Sequence, residues 1–133
     1  MPTLVDSNVL LDVVTEDRGW LGWSSSMLER EAERGALVIN PIVYAEVSLA
    51  FDRIEDLEAA LPPEFVGREP LPWAAAFLAA RAFLRYRRQG GSRPHPLPDF
   101  YIGAHAAVAG YTLLTRDARR YRTYFPKLRL IAP

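Results

Sequence analysis

Short apolar runs alternate with amphipathic stretches along the whole chain, and that alternation predicts an α/β fold. Thr3-Leu4-Val5, Ala36-Leu37-Val38-Ile39, Tyr111-Thr112-Leu113-Leu114 and Leu128-Arg129-Leu130-Ile131 are compact runs of strand type. A short edge strand fits within Val66 to Leu71. Helical spacing fills the gaps. A short helix begins at Val9-Leu10-Leu11. Trp20 to Arg34 is amphipathic, with Trp20, Trp23, Met27 and Leu28 on one side and Glu29, Glu31 and Glu33 toward water. Asn40-Pro41, a cap followed by an N1 proline, opens a helix running to about Phe51. Asp52 to Leu61 follows, with Ile54, Leu57 and Leu61 inward, and Pro62-Pro63 stops it. Trp73 to Gln89 is a long helix expected to turn Phe77, Ala80 and Leu84 inward. Pro98 opens a small-residue helix over 100–109, and Gly110 closes it. Ala118 to Phe125 is a short basic helix.

Four acids break this pattern where charge is costly. Asp6 ends the first strand, and Asp99 sits in the first turn of the small-residue helix. Asp117 closes Thr115-Arg116-Asp117 after the fourth strand. Glu46 falls inside the Val43, Val47, Ala50 and Phe51 stripe of its helix, about 7 Å along from the helix start. Each has an ordinary explanation alone. Asp6 and Asp117 suit helix caps, Asp99 suits a helix dipole, and Glu46 suits an ion pair with an arginine. Together they say more. A helix feeding directly into a strand runs antiparallel to it, so Asp99 and Asp117, 18 residues apart, belong at one edge of the layer. That edge is where the strands' carboxyl ends lie and where open α/β sheets bind ligands. Asp6 and Glu46 are expected at the same edge. Four clustered carboxylates need a compensating proton or cation, and an oxygen-only donor set suits Mg²⁺ or Mn²⁺.

Composition narrows the class. The 133 residues suit one domain, and half are hydrophobic, so a core is expected and disorder is not. No apolar run approaches the ~20 residues of a membrane span, and MPTLVDSN lacks the pattern of a secretory signal. There is no cysteine, which excludes disulfides and thiolate metal sites, and a cytoplasmic location is expected. Net charge is zero but strongly segregated. Residues 1–66 carry 13 acids and 4 arginines, a balance of −9, while residues 67–133 carry 3 acids and 12 basic residues, a balance of +9. Fifteen of the 16 basic residues are arginine, whose planar fork suits phosphate. Arg85, Arg88, Arg93 and Arg116 flank the acidic edge in sequence and are candidate substrate contacts. His95 lies in the Gly90–Pro98 loop and reads as a solvated residue. His105 reads as a hydrogen-bonded core histidine, nearly two turns beyond Asp99.

Asp6-Ser7-Asn8 after the first strand, Glu46, LPDFYIGAHA around Asp99 and LLTRD ending at Asp117 together resemble a PIN-domain nuclease, most closely the VapC toxins of bacterial toxin–antitoxin pairs. The resemblance spans the whole chain. It implies a single domain over 1–133, a three-layer α/β/α sandwich with a central parallel sheet of 4–5 strands ordered 3-2-1-4-5. It also implies Mg²⁺-dependent endoribonuclease activity (Mn²⁺ as the substitute), tRNA or rRNA as substrate, a cognate antitoxin and a homodimer. By that resemblance Asp6, Asp99 and Asp117 are the metal ligands, with Asp117 direct or through water. Glu46 orients or activates the attacking water, and Asn8 and Thr115 support the ligands. The family's usual acid-alanine pair reads Asp99-Phe100 here, and His105 stands where a small or hydroxyl residue is common. Two other classes remain in view. One is a nucleic-acid or antitoxin-binding module without turnover. The other is a phosphatase-like α/β domain, which would want a second Asp where Asn8 stands.

Overall fold

The computed structural model describes residues 1–94 and 97–133; His95 lies outside the described residues. Among these residues, five strands form one parallel sheet in the order β3-β2-β1-β4-β5, as the resemblance implied. They are β1 (Thr3–Val5), β2 (Leu37–Ile39), β3 (Val66–Arg68), β4 (Thr112–Leu114) and β5 (Leu130–Ile131). Among the described residues, seven helices complete the α/β/α sandwich: α1 (Ser7–Val14), α2 (Leu21–Arg34), α3 (Pro41–Ser48), α4 (Ile54–Ala60), α5 (Trp73–Arg88), α6 (Pro98–Ala109) and α7 (Arg119–Tyr124). β1 lies in the middle, and all three of its residues are buried, as a strand covered on both faces requires. Leu4, Val5, Leu113 and Leu114 form the centre of the core with Val9, Val43, Val47 and Ile102.

Local signals set the helix ends. Asn40 accepts a hydrogen bond from the Val43 amide, and Pro41 occupies the first helical turn of α3. Gly110 closes α6 in the left-handed region at φ 73°, where a side chain is strained. Gly103 is required for a different reason. A Cβ there would lie 2.6 Å from the Phe125 ring and 3.0 Å from Tyr121, so only glycine lets α7 seat against α6.

Four expectations need correcting. α5 does not bury Phe77 or Leu84; it buries Ala75, Ala79 and Ala82, and leaves Trp73 92% and Phe77 66% exposed. Two apolar stripes run along this helix, and the alanine stripe is the one that lets α5 approach the small-residue helix α6. Ile54 is exposed, because α4 turns only Leu57 fully inward and Leu61 follows at its cap. Glu31 is buried rather than solvated. Arg34 lies 3.6 Å from its carboxylate and Thr3 donates to it at 3.5 Å, so the charge is carried inward with partners. Finally, α3 ends at Ser48, before Phe51.

Candidate active site

The carboxyl ends of β1 and β4 are neighbours, and the chain leaves each through polar residues. The Asp6 amide donates to Leu114 O at 2.9 Å, which fixes Asp6 beside the end of β4. Asp6 caps α1 by accepting from the Ser7 amide at 2.7 Å, so its helix-capping role is real. Its other oxygen serves a second purpose. Asp6 Oδ2 accepts from Thr115 Oγ1 at 2.8 Å and from the Tyr121 hydroxyl at 2.9 Å, with Asn8 Nδ2 at 3.5 Å. Every one of these donors is neutral, and Asp6 is only 3% exposed. Burial, reinforced by the charge of Asp99, holds this carboxyl up at about 6 against the pull of Thr115, Tyr121 and Ser7.

The other acids gather around it. Ser7 Oγ donates to Glu46 Oε1 at 2.8 Å, so α1 orients the glutamate of α3. Burial, then the charge of Asp99, raises Glu46. Asp99, in the first turn of α6, is raised by burial and by Asp117, while Arg120 at 3.8 Å lowers it. Asp99 is thus the hub: Asp6 and Glu46 feel its charge, and it feels that of Asp117. Asp117 is exposed and makes no cap, since the residue ahead of α7 is Ala118 and has no side-chain cap bond. Thr115 makes the local turn, accepting from the Asp117 amide at 3.1 Å. Asn8 links the two loops: its Nδ2 donates to Thr115 Oγ1 at 3.4 Å and its Oδ1 accepts from the Arg116 amide at 3.1 Å.

Tyr121 escaped the sequence reading. It is 1% exposed, and its hydroxyl donates to Asp6 while standing 3.4 Å from Asp99 Oδ1. Burial and the carboxylates of Asp6, Asp99 and Glu46 push the phenol well above its ordinary range, so it remains a donor. Asp12 escaped it too. Its buried carboxylate receives both Arg116 Nε (2.9 Å) and Nη2 (3.0 Å), and Ser24 Oγ at 2.7 Å. Arg116 also lies over the Trp20 ring at 5.0 Å. A lone acid among Val9, Leu10, Leu11, Val13 and Val14 was the available signal.

The remaining candidates fall into two groups. Arg85 is committed to the carbonyls of Thr123 and Tyr124, both at 3.2 Å, and lies 5.6 Å over the Tyr124 ring. Arg88 and Arg93 are exposed. His105 is a buried core residue as expected: its Nδ1 pairs with Asn40 Nδ2 at 3.1 Å, and its Nε2 lies 3.5 Å from Glu69. Burial lowers its pKa, so it is neutral at physiological pH.

The family model for the PIN domain matches residues 3–126. The chain belongs to the PIN domain family. A comparison with curated proteins finds no match. Solved structures share the fold across nearly full lengths. VapBC2 from Rickettsia felis, bound to a DNA fragment from its promoter, aligns with TM-score 0.77 at 17% identity, covering 100% of this chain and 99% of that one. VapBC-1 from nontypeable Haemophilus influenzae aligns with TM-score 0.75 at 18% identity, covering 99% and 98%. A toxin–antitoxin complex from Klebsiella pneumoniae aligns with TM-score 0.70 at 19% identity, covering 97% and 95%.

A divalent cation suits this PIN domain's donor set. Among the described residues, no group of three or more Asp, Glu or His side chains already stands in a metal-holding geometry. The chemistry nevertheless fits. Asp6, a buried carboxylate with only neutral donors, lacks a positive partner, and it stands beside the half-buried Asp99, whose cationic neighbour Arg120 is 3.8 Å away. Oxygen-only ligands match Mg²⁺ or Mn²⁺.

Proposed function

We propose that this protein is a Mg²⁺- or Mn²⁺-dependent endoribonuclease, the toxin of a type II toxin–antitoxin pair acting on cytoplasmic RNA. The observation that carries the reading is the charge coupling of four acids, from four separate segments, through Asp99 at one sheet edge. Asp6 and Asp99 are the residues to hold the cation, with Asp117 supporting it from the exposed side. The bound cation supplies positive charge to the scissile phosphate and makes water easier to deprotonate. Glu46, raised by burial and held by Ser7 Oγ, is placed to orient that water and accept its proton. Thr115, Asn8 and Tyr121 keep Asp6 and the β4–α7 turn in register.

Arginine predominance in the second half supports a polyanionic substrate, with structured RNA such as tRNA or rRNA as the candidate. The similar solved structures include toxin–antitoxin complexes, which supports a cognate antitoxin. The exposed Trp73, Phe77 and Leu84 on α5 give an apolar strip of the kind that an antitoxin or a second copy in a homodimer covers. The test is incubation of purified protein with a tRNA and rRNA panel in Mg²⁺ and in EDTA. Cleavage in Mg²⁺ alone supports the nuclease reading. RNA binding with no cleavage in either Mg²⁺ or Mn²⁺ supports a binding module instead.

A further inference from the structure

A pocket adjoins the acidic edge. It has a volume of about 320 Å³ and is lined by Tyr86, Asp117, Arg119, Arg120, Thr123 and Tyr124. It lies between the C-terminal end of α5 and α7, and two residues join it to the acids. Asp117 forms part of its wall, and Arg120 reaches from it to Asp99 at 3.8 Å.

The two kinds of wall have different chemistry. Tyr86 and Tyr124 meet edge to face at 6.3 Å, and each packs on the buried Phe100 ring, at 5.6 and 5.2 Å. The Tyr124 hydroxyl donates to Gln89, and Arg85 covers one side of its ring. Gly91 passes so close to Tyr86 that a Cβ would lie 2.4 Å from that ring. The tyrosines are therefore held in place before any ligand arrives. Arg119 is different. It is exposed and makes no side-chain hydrogen bond or ion pair among the described residues, although Arg85, Arg116 and Arg120 are all engaged. A rigid aromatic wall facing an uncommitted guanidinium takes a ligand with both a planar ring and a phosphate. The volume lies at the small end of the range for ligand pockets, which suits one nucleotide unit rather than a longer segment.

We propose that this pocket is a subsite for the nucleotide adjoining the scissile phosphate, with Arg119 on its flanking phosphate and the Tyr86–Tyr124 wall against its base. The inference rests on the nuclease reading. Asp117 then borders both the cleavage site and the subsite, and α7 sets the register of the strand.

The test is fluorescence anisotropy of a short labelled oligouridylate in EDTA, so that binding is read without cleavage. Arg119→Ala is expected to weaken binding about tenfold and to reduce the salt slope by about one. Arg122→Ala, on the same helix but outside the pocket lining, is expected to change binding less than about twofold. A strand with abasic sites is expected to bind the wild type about tenfold more weakly than the same strand with bases. With Mg²⁺, Arg119→Ala is expected to raise KM and leave kcat nearly unchanged. Equal effects of Arg119→Ala and Arg122→Ala, equal binding of the abasic strand, or equal Arg119-dependent binding of an acidic peptide would each overturn the subsite. Failure of the wild type to cut RNA in Mg²⁺ while Arg119-dependent binding persists would instead sink the nuclease reading and spare the pocket.

Discussion

Asp6→Asn is expected to raise stability while it removes activity, because the site keeps a carboxylate where folding does not favour one. The Asp6 carboxyl ordinarily titrates near 3.8 and is held at about 6 in the folded protein, mainly by burial. The folded state therefore holds its proton more tightly between those values. Stability falls as pH rises through that window, and the full penalty is present above about pH 6. A rise of about two units corresponds to about 3 kcal/mol. Asparagine removes the charge but weakens the bonds from Thr115 and Tyr121, a loss of about 1 kcal/mol. The net gain is about 2 kcal/mol, or roughly 5–10 °C in Tm for a domain of this size. Chemical denaturation in EDTA at neutral pH and near pH 4.5 measures it. The variant's advantage should shrink to less than half at the lower pH. A variant no more stable than wild type at neutral pH, or with an advantage independent of pH, would refute the reasoning.

Other substitutions probe the frame around the acids. Arg116→Ala should destabilise by about 3 kcal/mol, because the buried Asp12 loses both guanidinium bonds; joint replacement by Asp12→Leu and Arg116→Met should recover much of that in a urea titration. Tyr121→Phe should cost about 1–2 kcal/mol in EDTA by the same assay, since Asp6 loses a buried donor. Gly103→Ala should cost about 1–3 kcal/mol and slow cleavage, because the new methyl group displaces Phe125 and Tyr121 from α6; thermal melts and initial rates read the two effects.

Strand signals were legible in β1, β2, β4 and β5, where short apolar runs stand apart from their neighbours, whereas β3, Val66-Gly67-Arg68, has no apolar run and was legible only as a short edge strand. The acids were legible for a related reason: a charge where an apolar run ends demands an explanation. What stayed hidden depended on which of two faces a helix chose. α5 carries both an alanine stripe and a Trp73–Phe77–Leu84 stripe, and only the close approach of α6 selects the alanines. Hydropathy alone favours the larger residues, and it is wrong there. Tyr121 stayed hidden among aromatic and basic neighbours, since nothing in RRYRTY shows that one hydroxyl reaches 115 residues back to Asp6. Asp12 and Glu31 show the converse limit. Both are buried; Arg116 for the first and Thr3 for the second lie on elements whose docking the periodicity does not specify, while Arg34 stands three residues beyond Glu31 on the same helix.

Single-turnover cleavage of a structured RNA by wild type and Asp99→Asn, both confirmed folded by circular dichroism, tests the four-acid site most directly. Asp99 is the charge every other acid of the cluster feels or is felt by. The expected result is Mg²⁺-dependent cleavage by the wild type and a loss of at least about a hundredfold in the variant. Equal cleavage rates for the two proteins would contradict the assignment.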